Sequence, residues 1–323
     1  MSVFNKFRET IFLKEDSDLE SRIEALNSIK DKMKNQNEEI DKDIKLLEYG
    51  LNGEKSIMFE LKNMNIGMYV LHDVNLKYEN LNAQIDFAVF TPAHCYLIEC
   101  KNMIGDITIN RQGEFRRVYY YNNQFKKEAI YSPYAQAIRH KEIIKKIWLS
   151  KNSSLSSYLF EKQFDAYYRP LVVLANSKGM LKSQYAPHDI KKVTIRIDQL
   201  AEYLNHDIIK RKKNLKNQKE LKKLAQSMLD AHIAVDKDYT QKYLKDITND
   251  GLEKKLKDYR LNKSKKMNIP AYYIFTNEEL KAILNHKPKS IIELKQLNIL
   301  ADIKIKYHGE DIIQIIQGNG KDK

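Results

Sequence analysis

Apolar residues recur at every seventh position near the start of the chain, in two interleaved rows. The first row is Leu19, Leu26, Met33, Ile40 and Leu47, and the second is Ile23, Lys30, Asn37, Ile44 and Leu51. This spacing predicts a helical, coiled-coil segment over residues 1–49 that ends at a turn, Gly50–Gly53. Ser17 and Glu20 fit a capping box at its start. A seam of this width needs a partner, so the segment either forms a homodimer or packs along its own domain.

A different periodicity follows, in which apolar and polar residues alternate as in β-strands. It occurs in MYVLHDV (68–74), AQIDFAVF (83–90) and CYLIECK (95–101). In the second strand, alternation places Ile85, Phe87 and Val89 on one face of the sheet, and Asp86, Ala88 and Phe90 on the other. In the third, Leu97, Glu99 and Lys101 share a face, and Cys100 points away from it as a core residue.

The short loop between the last two strands sets their register. Four loop residues pair Phe90 with Cys95, and Asp86 then falls opposite Glu99. Two facing carboxylates repel each other unless a cation lies between them. Oxygen ligands favour Mg²⁺ or Mn²⁺, and Lys101 would lie beside the metal-bound water or an attacked phosphate. The alternative is a simple salt bridge between Lys101 and one acid.

The composition limits the class of protein. The chain has 323 residues, about twice the usual length of one domain, and 42% of them are hydrophobic. Only 10 glycines and 6 prolines are present, which favours long helices over an all-β fold. No apolar run approaches the roughly 20 residues of a membrane span, and the start carries charges where a signal peptide would be apolar. We therefore expect a cytosolic protein with reduced cysteines and no membrane partner.

Most of the net charge of +13 lies in one internal segment. Residues 210–266 contain 18 lysines and arginines against 8 acids. Such a segment attracts polyanions by counterion release, although it is also compatible with a solvated linker. The candidate nucleic-acid contacts are Lys210, Arg211, Lys212, Lys213, Lys222, Lys223, Arg116 and Arg117.

Several blocks in the first two thirds of the chain resemble a NERD domain, the nuclease-related domain. They are GEKSIMFELKN, VLHDVNL, AQIDFAVF, YLIECKNMIGDITIN, GEFRR and YSPYAQAIRHKEIIKKI. The resemblance implies a PD-(D/E)xK nuclease-like fold over residues 50–209, an α/β core whose mixed sheet is flanked by helices. It also implies the catalytic set Glu54, Asp86, Glu99, Lys101 and Gln136.

Each matching residue has a physical role in such a site. Asp86 and Glu99, together with the backbone carbonyl of Cys100, would hold the metal ion, with Glu54 as a further ligand. Gln136 lies in the first turn of a helix that begins with Ser132 and Pro133, where it would orient water or contact the phosphate backbone.

The C-terminal blocks resemble an HRDC domain, the helical bundle at the ends of RecQ-type helicases and RNase D enzymes. The matching blocks are NIPAYYIFTNEEL, KPKSIIELKQL and KIKYHGEDIIQII. The resemblance implies an all-α module over residues 251–323, joined to the nuclease-like domain by a basic helical linker, 210–250. Its expected core is Ile274, Phe275, Leu280, Ile283, Leu284, Ile292, Leu294, Leu297, Ile312, Ile313 and Ile316.

Individual polar and aromatic residues outside the motif have more ordinary interpretations. For Arg139 and His140 an exposed helix surface is favoured over phosphate contact, and for His94 a solvated loop. Tyrosines 119, 120, 121 and 131 near two arginines offer stacking surfaces to unpaired bases, although packing within a sheet is the commoner role of such residues.

Taken together, these features predict a Mg²⁺- or Mn²⁺-dependent nuclease that hydrolyses phosphodiester bonds of DNA, with RNA as an alternative substrate. The basic linker and the helical module would aid nucleic-acid binding or recruit a helicase or another DNA-processing protein. One alternative is a catalytically inactive adaptor that binds nucleic acid or protein, and another is a structural coiled-coil dimer.

Overall fold

The computed structural model describes residues 7–32, 38–121, 123–151, 157–211, 215–234 and 239–318. The chain divides into two compact units, the first formed by residues 1–24 and 42–237 and the second by residues 25–41 and 238–323. No helix within the described ranges is long and apolar enough to cross a membrane.

The first unit is built on strands and flanking helices. Its strands are β1 (Thr10–Lys14), β2 (Met68–Tyr78), β3 (Leu81–Phe90), β4 (Cys95–Lys101), β5 (Asp106–Ile109), β6 (Phe115–Tyr121), β7 (Gln124–Ile130), β8 (Tyr168–Leu174), β9 (Leu181–Lys182) and β10 (Thr194–Arg196). Its helices are α3 (Pro133–Lys151), α4 (Ser157–Tyr167), α5 (His188–Lys192), α6 (Leu200–Lys210) and α7 (Gln218–Leu229). Helices α1 (Asp18–Lys32) and α2 (Glu38–Lys62) contribute residues to both units.

The main sheet is mixed, with the strand order β1-β2-β3-β4-β8-β10. β3 is antiparallel to both β2 and β4, whereas β1 is parallel to β2, and β8 is parallel to both β4 and β10. β1 was not predicted, because five residues at a sheet edge give too short a pattern to recognise. A second sheet has the order β7-β6-β5-β9.

Helices cover both faces of the main sheet, which gives three layers. On one face, α3 and α7 contribute apolar residues such as Ile144 and Leu221 to a core cluster that includes Leu71 and Ile85 of the sheet. On the other, α2 and α6 pack Leu61 and Leu204 against the opposite side of the strands. The predicted α/β fold with a mixed sheet is therefore confirmed.

The segment predicted as a basic linker contributes to this core. Helix α7 buries Leu221, Ala225 and Met228 in the cluster that includes β2 and β3, and it exposes Lys222 and Lys223. The apolar spacing of these three residues is that of one helix face.

The N-terminal heptad positions are partly buried by the chain itself. Leu26, Ile40 and Ile44 are almost fully buried, and Met33 and Asn37 lie outside the described residues. This packing agrees with the interpretation in which the segment packs within its own chain, and homodimerisation stays a prediction.

The second unit contains a helical bundle. It consists of α8 (Gln241–Met267), α9 (Asn277–His286), α10 (Ile291–Gln296) and α11 (Asp302–Ile316). Thr276 caps α9 in a capping box with Glu279, and Ser290 caps α10. Most of the predicted core residues are buried together, but Ile292 is exposed because its neighbour Ile291 occupies the inward position.

Candidate active site

Strands β2 and β3 interrupt their alternation at the same level of the sheet. Asp73 has a positive φ of 51°, and cross-strand pairing passes from His72 directly to Val74. Ile85 consequently lies in the core cluster on the opposite face from Phe87. The expectation that these two residues share a face is therefore wrong. β3 loses its two-residue period directly opposite Asp73, whose left-handed backbone breaks the period of β2.

The break frees the Asp86 side chain to reach the neighbouring strand. Phe90 faces Cys95 as predicted, and the register holds for four residue pairs. The pairing of β3 with β4 stops before Asp86, whose Oδ2 accepts a hydrogen bond from the backbone N–H of Cys100 at 2.7 Å. The carboxylate thus takes the place of the next ladder bond, and the Cys100 thiol points into the opposite core as expected.

Three carboxylates influence one another at this point. Burial, followed by the charges of Glu99 and Glu54, raises the pKa of Asp86 well above its usual value. Burial also raises the pKa of Glu99, against the opposing charge of Lys101. For Lys101, burial opposes the ammonium charge, but the charges of Glu99 and Asp86 outweigh burial and raise its pKa. Lys101 is therefore a cation whose charge is stabilised by two acids, and both acids have raised pKa values.

Lys101 links the sheet to helix α3. Its Nζ donates to Glu99 Oε1 at 2.5 Å and to Gln136 Oε1 at 3.3 Å. The predicted Gln136 thus reaches the ExK pair from the first turn of α3, where the Ser132 hydroxyl accepts from the Ala135 N–H. The other Glu99 oxygen, Oε2, is buried and has no hydrogen-bond partner among the described residues.

His140 lies closer to the site than the sequence indicated. Its Nδ1 is 3.7 Å from Glu99 Oε2, and its side chain is largely buried. Burial, then the charges of Arg139 and Lys101, lowers the pKa of His140 to about 4, so the imidazole is neutral at pH 7. The interpretation of His140 as exposed surface is wrong, whereas Arg139 is exposed as predicted and lies over the Tyr131 ring.

Glu54 reaches the site from the middle of α2, which runs without interruption through the predicted turn. At Gly53 an added Cβ would lie 2.6 Å from the Asn102 Cβ and 3.1 Å from the Cys100 sulfur. The glycine therefore permits close contact between α2 and the end of β4 instead of forming a turn. This contact sets the position of Glu54.

His72, which the sequence motifs did not indicate, contacts the Glu54 side chain and fixes its position. Its Nε2 lies 2.8 Å from Glu54 Oε2, its Nδ1 lies 2.8 Å from the Glu15 carbonyl oxygen, and its ring stacks on Phe87. Ser17 Oγ also donates to Glu54 Oε2 at 3.4 Å. The only signal in the sequence was a His-Asp pair inside an otherwise apolar strand.

The acids are compatible with a hard divalent cation but do not form a closed cage. No group of three or more His, Cys, Asp or Glu side chains in the described ranges is arranged as a complete metal site. One available donor is nevertheless the buried Glu99 Oε2, which no hydrogen bond satisfies within the part of the chain that the structure describes. A divalent cation would satisfy that oxygen and offset the mutual repulsion of Asp86 and Glu99.

The predicted nucleic-acid contacts differ in their surroundings. Lys210, Lys222, Lys223 and Arg116 are exposed, and Lys212 and Lys213 lie outside the described residues. Arg116 pairs with Glu114 and Arg117 with Glu128. Arg211 donates to the carbonyl oxygen of Ala93 and to His94 Nδ1, so it is committed to the loop between β3 and β4.

His94 is buried in that loop, contrary to the expectation of a solvated side chain. Burial, then the charge of Arg169 and that of Arg211, lowers its pKa to about 4, against the opposing charge of Asp207. Its Nε2 is 3.7 Å from Asp207 Oδ2.

Comparison with protein-family models matches residues 49–175 to NERD, described as the nuclease-related domain. Residues 249–316 match the HRDC domain. The chain contains a NERD domain and an HRDC domain. The searches of curated proteins and of solved structures gave no match.

The NERD match includes all five residues predicted as the catalytic set. It does not include β1 or the residues that hold His72 and Glu54 from the N-terminal side, Glu15 and Ser17. It also ends before α6 and α7, which pack on the same sheet. The two domains indicate a nuclease-related function connected with nucleic acid.

Proposed function

We propose that the NERD domain hydrolyses phosphodiester bonds of nucleic acid, with DNA as the favoured substrate, at the site formed by Asp86, Glu99 and Lys101. The observation that carries the proposal is the convergence of the buried Glu99, the half-buried Asp86 and Lys101 on adjacent strands, with Gln136 bonded to that lysine. A structural role would favour apolar residues or one neutral ion pair, because unbalanced buried charge costs stability. Groups whose pKa values are perturbed by burial and by neighbouring charges are typical of functional sites.

The residues present fit a divalent metal, Mg²⁺ or Mn²⁺. Asp86 and Glu99 would hold it, with Glu54 and the Cys100 carbonyl oxygen as the further ligands that the family resemblance implies. When bound, such an ion polarises a phosphoryl oxygen and lowers the pKa of water toward neutrality.

The chain supplies the remaining groups. The Lys101 ammonium, kept charged by Glu99 and Asp86, stabilises the negative charge that develops on the phosphate in the transition state. Gln136 Oε1 accepts a hydrogen bond from Lys101, which leaves the amide N–H groups of Gln136 to donate to water or to a phosphate oxygen. His72 and Ser17 hold Glu54 toward the acids.

The other parts of the chain would increase affinity for the substrate. Lys210, Lys222 and Lys223 are exposed cations of the same unit. The HRDC domain is a second candidate contact for nucleic acid or for a DNA-processing partner.

Cleavage of end-labelled single-stranded DNA, duplex DNA and RNA by the full chain tests the proposal, with Mg²⁺, Mn²⁺ or EDTA. We expect metal-dependent cleavage that falls at least about a hundredfold in Asp86→Asn and in Lys101→Met. Calorimetric titration with Mn²⁺ gives a readout independent of turnover, and Asp86→Asn should weaken binding of that ion.

Asp198→Asn and Lys162→Met are matched controls, because both side chains are exposed and lie outside the site. Cleavage that survives both active-site variants and EDTA would exclude the proposed site. Nucleic-acid binding without any cleavage or Mn²⁺ binding would instead identify an inactive adaptor.

A further inference from the structure

The hairpin of β6 and β7, here called the β6–β7 ribbon, carries two exposed aromatic rings. Tyr120 is 75% exposed and Phe125 is 59% exposed. They are cross-strand partners, and their ring centroids are 5.5 Å apart in an edge-to-face arrangement. The rings therefore form one aromatic surface at the end of the ribbon.

The two faces of the ribbon differ in the contacts that their side chains make with one another. On the first face, the Arg117 guanidinium lies 4.3 Å from the Tyr119 ring centroid and pairs with Glu128, which also accepts from the Tyr119 hydroxyl. These contacts engage Arg117, Tyr119 and Glu128 with one another. They do not involve Tyr120 or Phe125.

The second face combines the aromatic pair with positive charge. By strand alternation it consists of Arg116, Val118, Tyr120, Phe125, Lys127 and Ala129. These six residues, all described, include two cations: Arg116, which pairs with Glu114, and the exposed Lys127. Rings flanked by cations are the combination that binds unpaired bases and their phosphates, whereas a duplex keeps its base faces stacked inside.

The ribbon joins the candidate active site at its base. β7 ends at Ile130, directly before Tyr131, Ser132 and the helix that carries Gln136. Tyr131 is also exposed, and the Arg139 guanidinium lies 5.1 Å from its ring centroid. Seven residues of β7 span about 20 Å at the rise of a strand, so β7 leads from the aromatic pair to the segment that precedes Gln136.

We propose that the Tyr120–Phe125 face of the β6–β7 ribbon stacks on unpaired bases and that the substrate of this chain is single-stranded nucleic acid. The substrate assignment rests on the proposed hydrolase function, whereas the stacking itself is a binding property. A strand held on the rings would continue along β7 toward Gln136 and Lys101.

Fluorescence anisotropy with labelled single-stranded DNA, single-stranded RNA and duplex DNA tests this proposal on the full chain in EDTA. We expect Tyr120→Ala and Phe125→Ala each to weaken single-strand binding at least about fivefold, with little change for the duplex. Tyr120→Phe and Phe125→Tyr keep a ring and should bind like the unmodified chain. A preference between the DNA and RNA strands would identify which nucleic acid supplies the bases.

Phe59→Ala is the matched control, because Phe59 is 66% exposed on α2 and lies outside the ribbon. The proposal is overturned if both alanine variants bind single strands as tightly as the unmodified chain, if Phe59→Ala weakens binding equally, or if duplex binding falls in parallel. Binding in EDTA is measured without cleavage, so the two proposals can fail separately. Ring-dependent binding without cleavage in the metal-containing assay would contradict the hydrolase function and still support the stacking face.

Discussion

His72 Nε2 lies 2.8 Å from Glu54 Oε2, while Nδ1 of the same ring lies 2.8 Å from the Glu15 carbonyl oxygen. A carbonyl oxygen only accepts, so Nδ1 is the donor in the contact with Glu15, and Nε2 is left to face the Glu54 carboxyl group. The ring thereby ties a helical acid of the NERD domain to a residue upstream of the NERD match.

Replacement of His72 by alanine should destabilise the protein by about 2–4 kcal/mol. The change removes a hydrogen-bond partner from the buried Glu54 carboxyl group and from the Glu15 carbonyl oxygen, and it leaves a cavity beside Phe87. Urea unfolding measures the effect, and His206→Ala, at an exposed position, should change the free energy of unfolding by less than about 0.5 kcal/mol. Equal stability of the His72 variant would show that the hydrogen-bonded ring does not hold Glu54.

Two glycines of α2 should respond in opposite ways to alanine. At Gly50 the nearest atom to an added Cβ is Leu19 Cδ1 at 3.6 Å, an ordinary contact. Gly50→Ala should therefore stabilise the protein by about 0.5–1 kcal/mol through helix propensity. Gly53→Ala should destabilise it by about 1–3 kcal/mol, because its Cβ would overlap Asn102. Thermal unfolding of the pair measures the contrast, and a similar effect at both positions would contradict the close approach of α2 to β4.

The buried His94 should make stability depend on pH in the acid range. Its pKa in the folded protein is about 4, below the ordinary value of 6.5. Between these values the unfolded chain binds a proton that the folded chain does not, so stability falls as the pH decreases from about 6.5 to 4. His94→Gln should reduce proton uptake on unfolding in this window by about one proton.

Urea unfolding at a series of pH values measures that change. The exposed His206→Gln is the control, and its pH profile should match that of the unmodified chain. An unchanged slope in His94→Gln would mean that solvent reaches the ring in the folded protein. His140 retains its own contribution in both variants, so part of the acid sensitivity should remain.

Local patterns predicted those features that depend on neighbours in sequence. The loop length predicted the register of β3 and β4, and strand alternation placed Glu99 and Lys101 on one face. The contact of Gln136 with Lys101 was expected only from the resemblance to the NERD domain. The burial of His72 and His94 depends on partners distant in sequence, such as Glu54 and Arg211, and no periodicity encodes such partners.

The predicted turn shows a different limit of sequence reasoning. Gly50 and Gly53 suggested a break in the chain, yet both lie inside α2, where Gly53 permits close helix–strand packing. Helix-breaking propensity amounts to about 1 kcal/mol per glycine, and burial of neighbouring apolar residues such as Ile57 and Leu61 outweighs it. Tertiary packing decided the outcome at this position.

Replacing Lys222 and Lys223 with glutamine should weaken nucleic-acid binding and flatten its dependence on salt. Both side chains are exposed on α7, whose apolar residues face the main sheet. If both contact phosphates, the slope of log K against log salt should decrease by about 1.4–1.8. Lys191 and Lys192 on α5 are also an adjacent exposed pair, so their double replacement removes the same charge from another site. Anisotropy titrations over a range of salt concentrations compare the two variants, and an identical slope in both would reduce the role of α7 to a general effect of net charge.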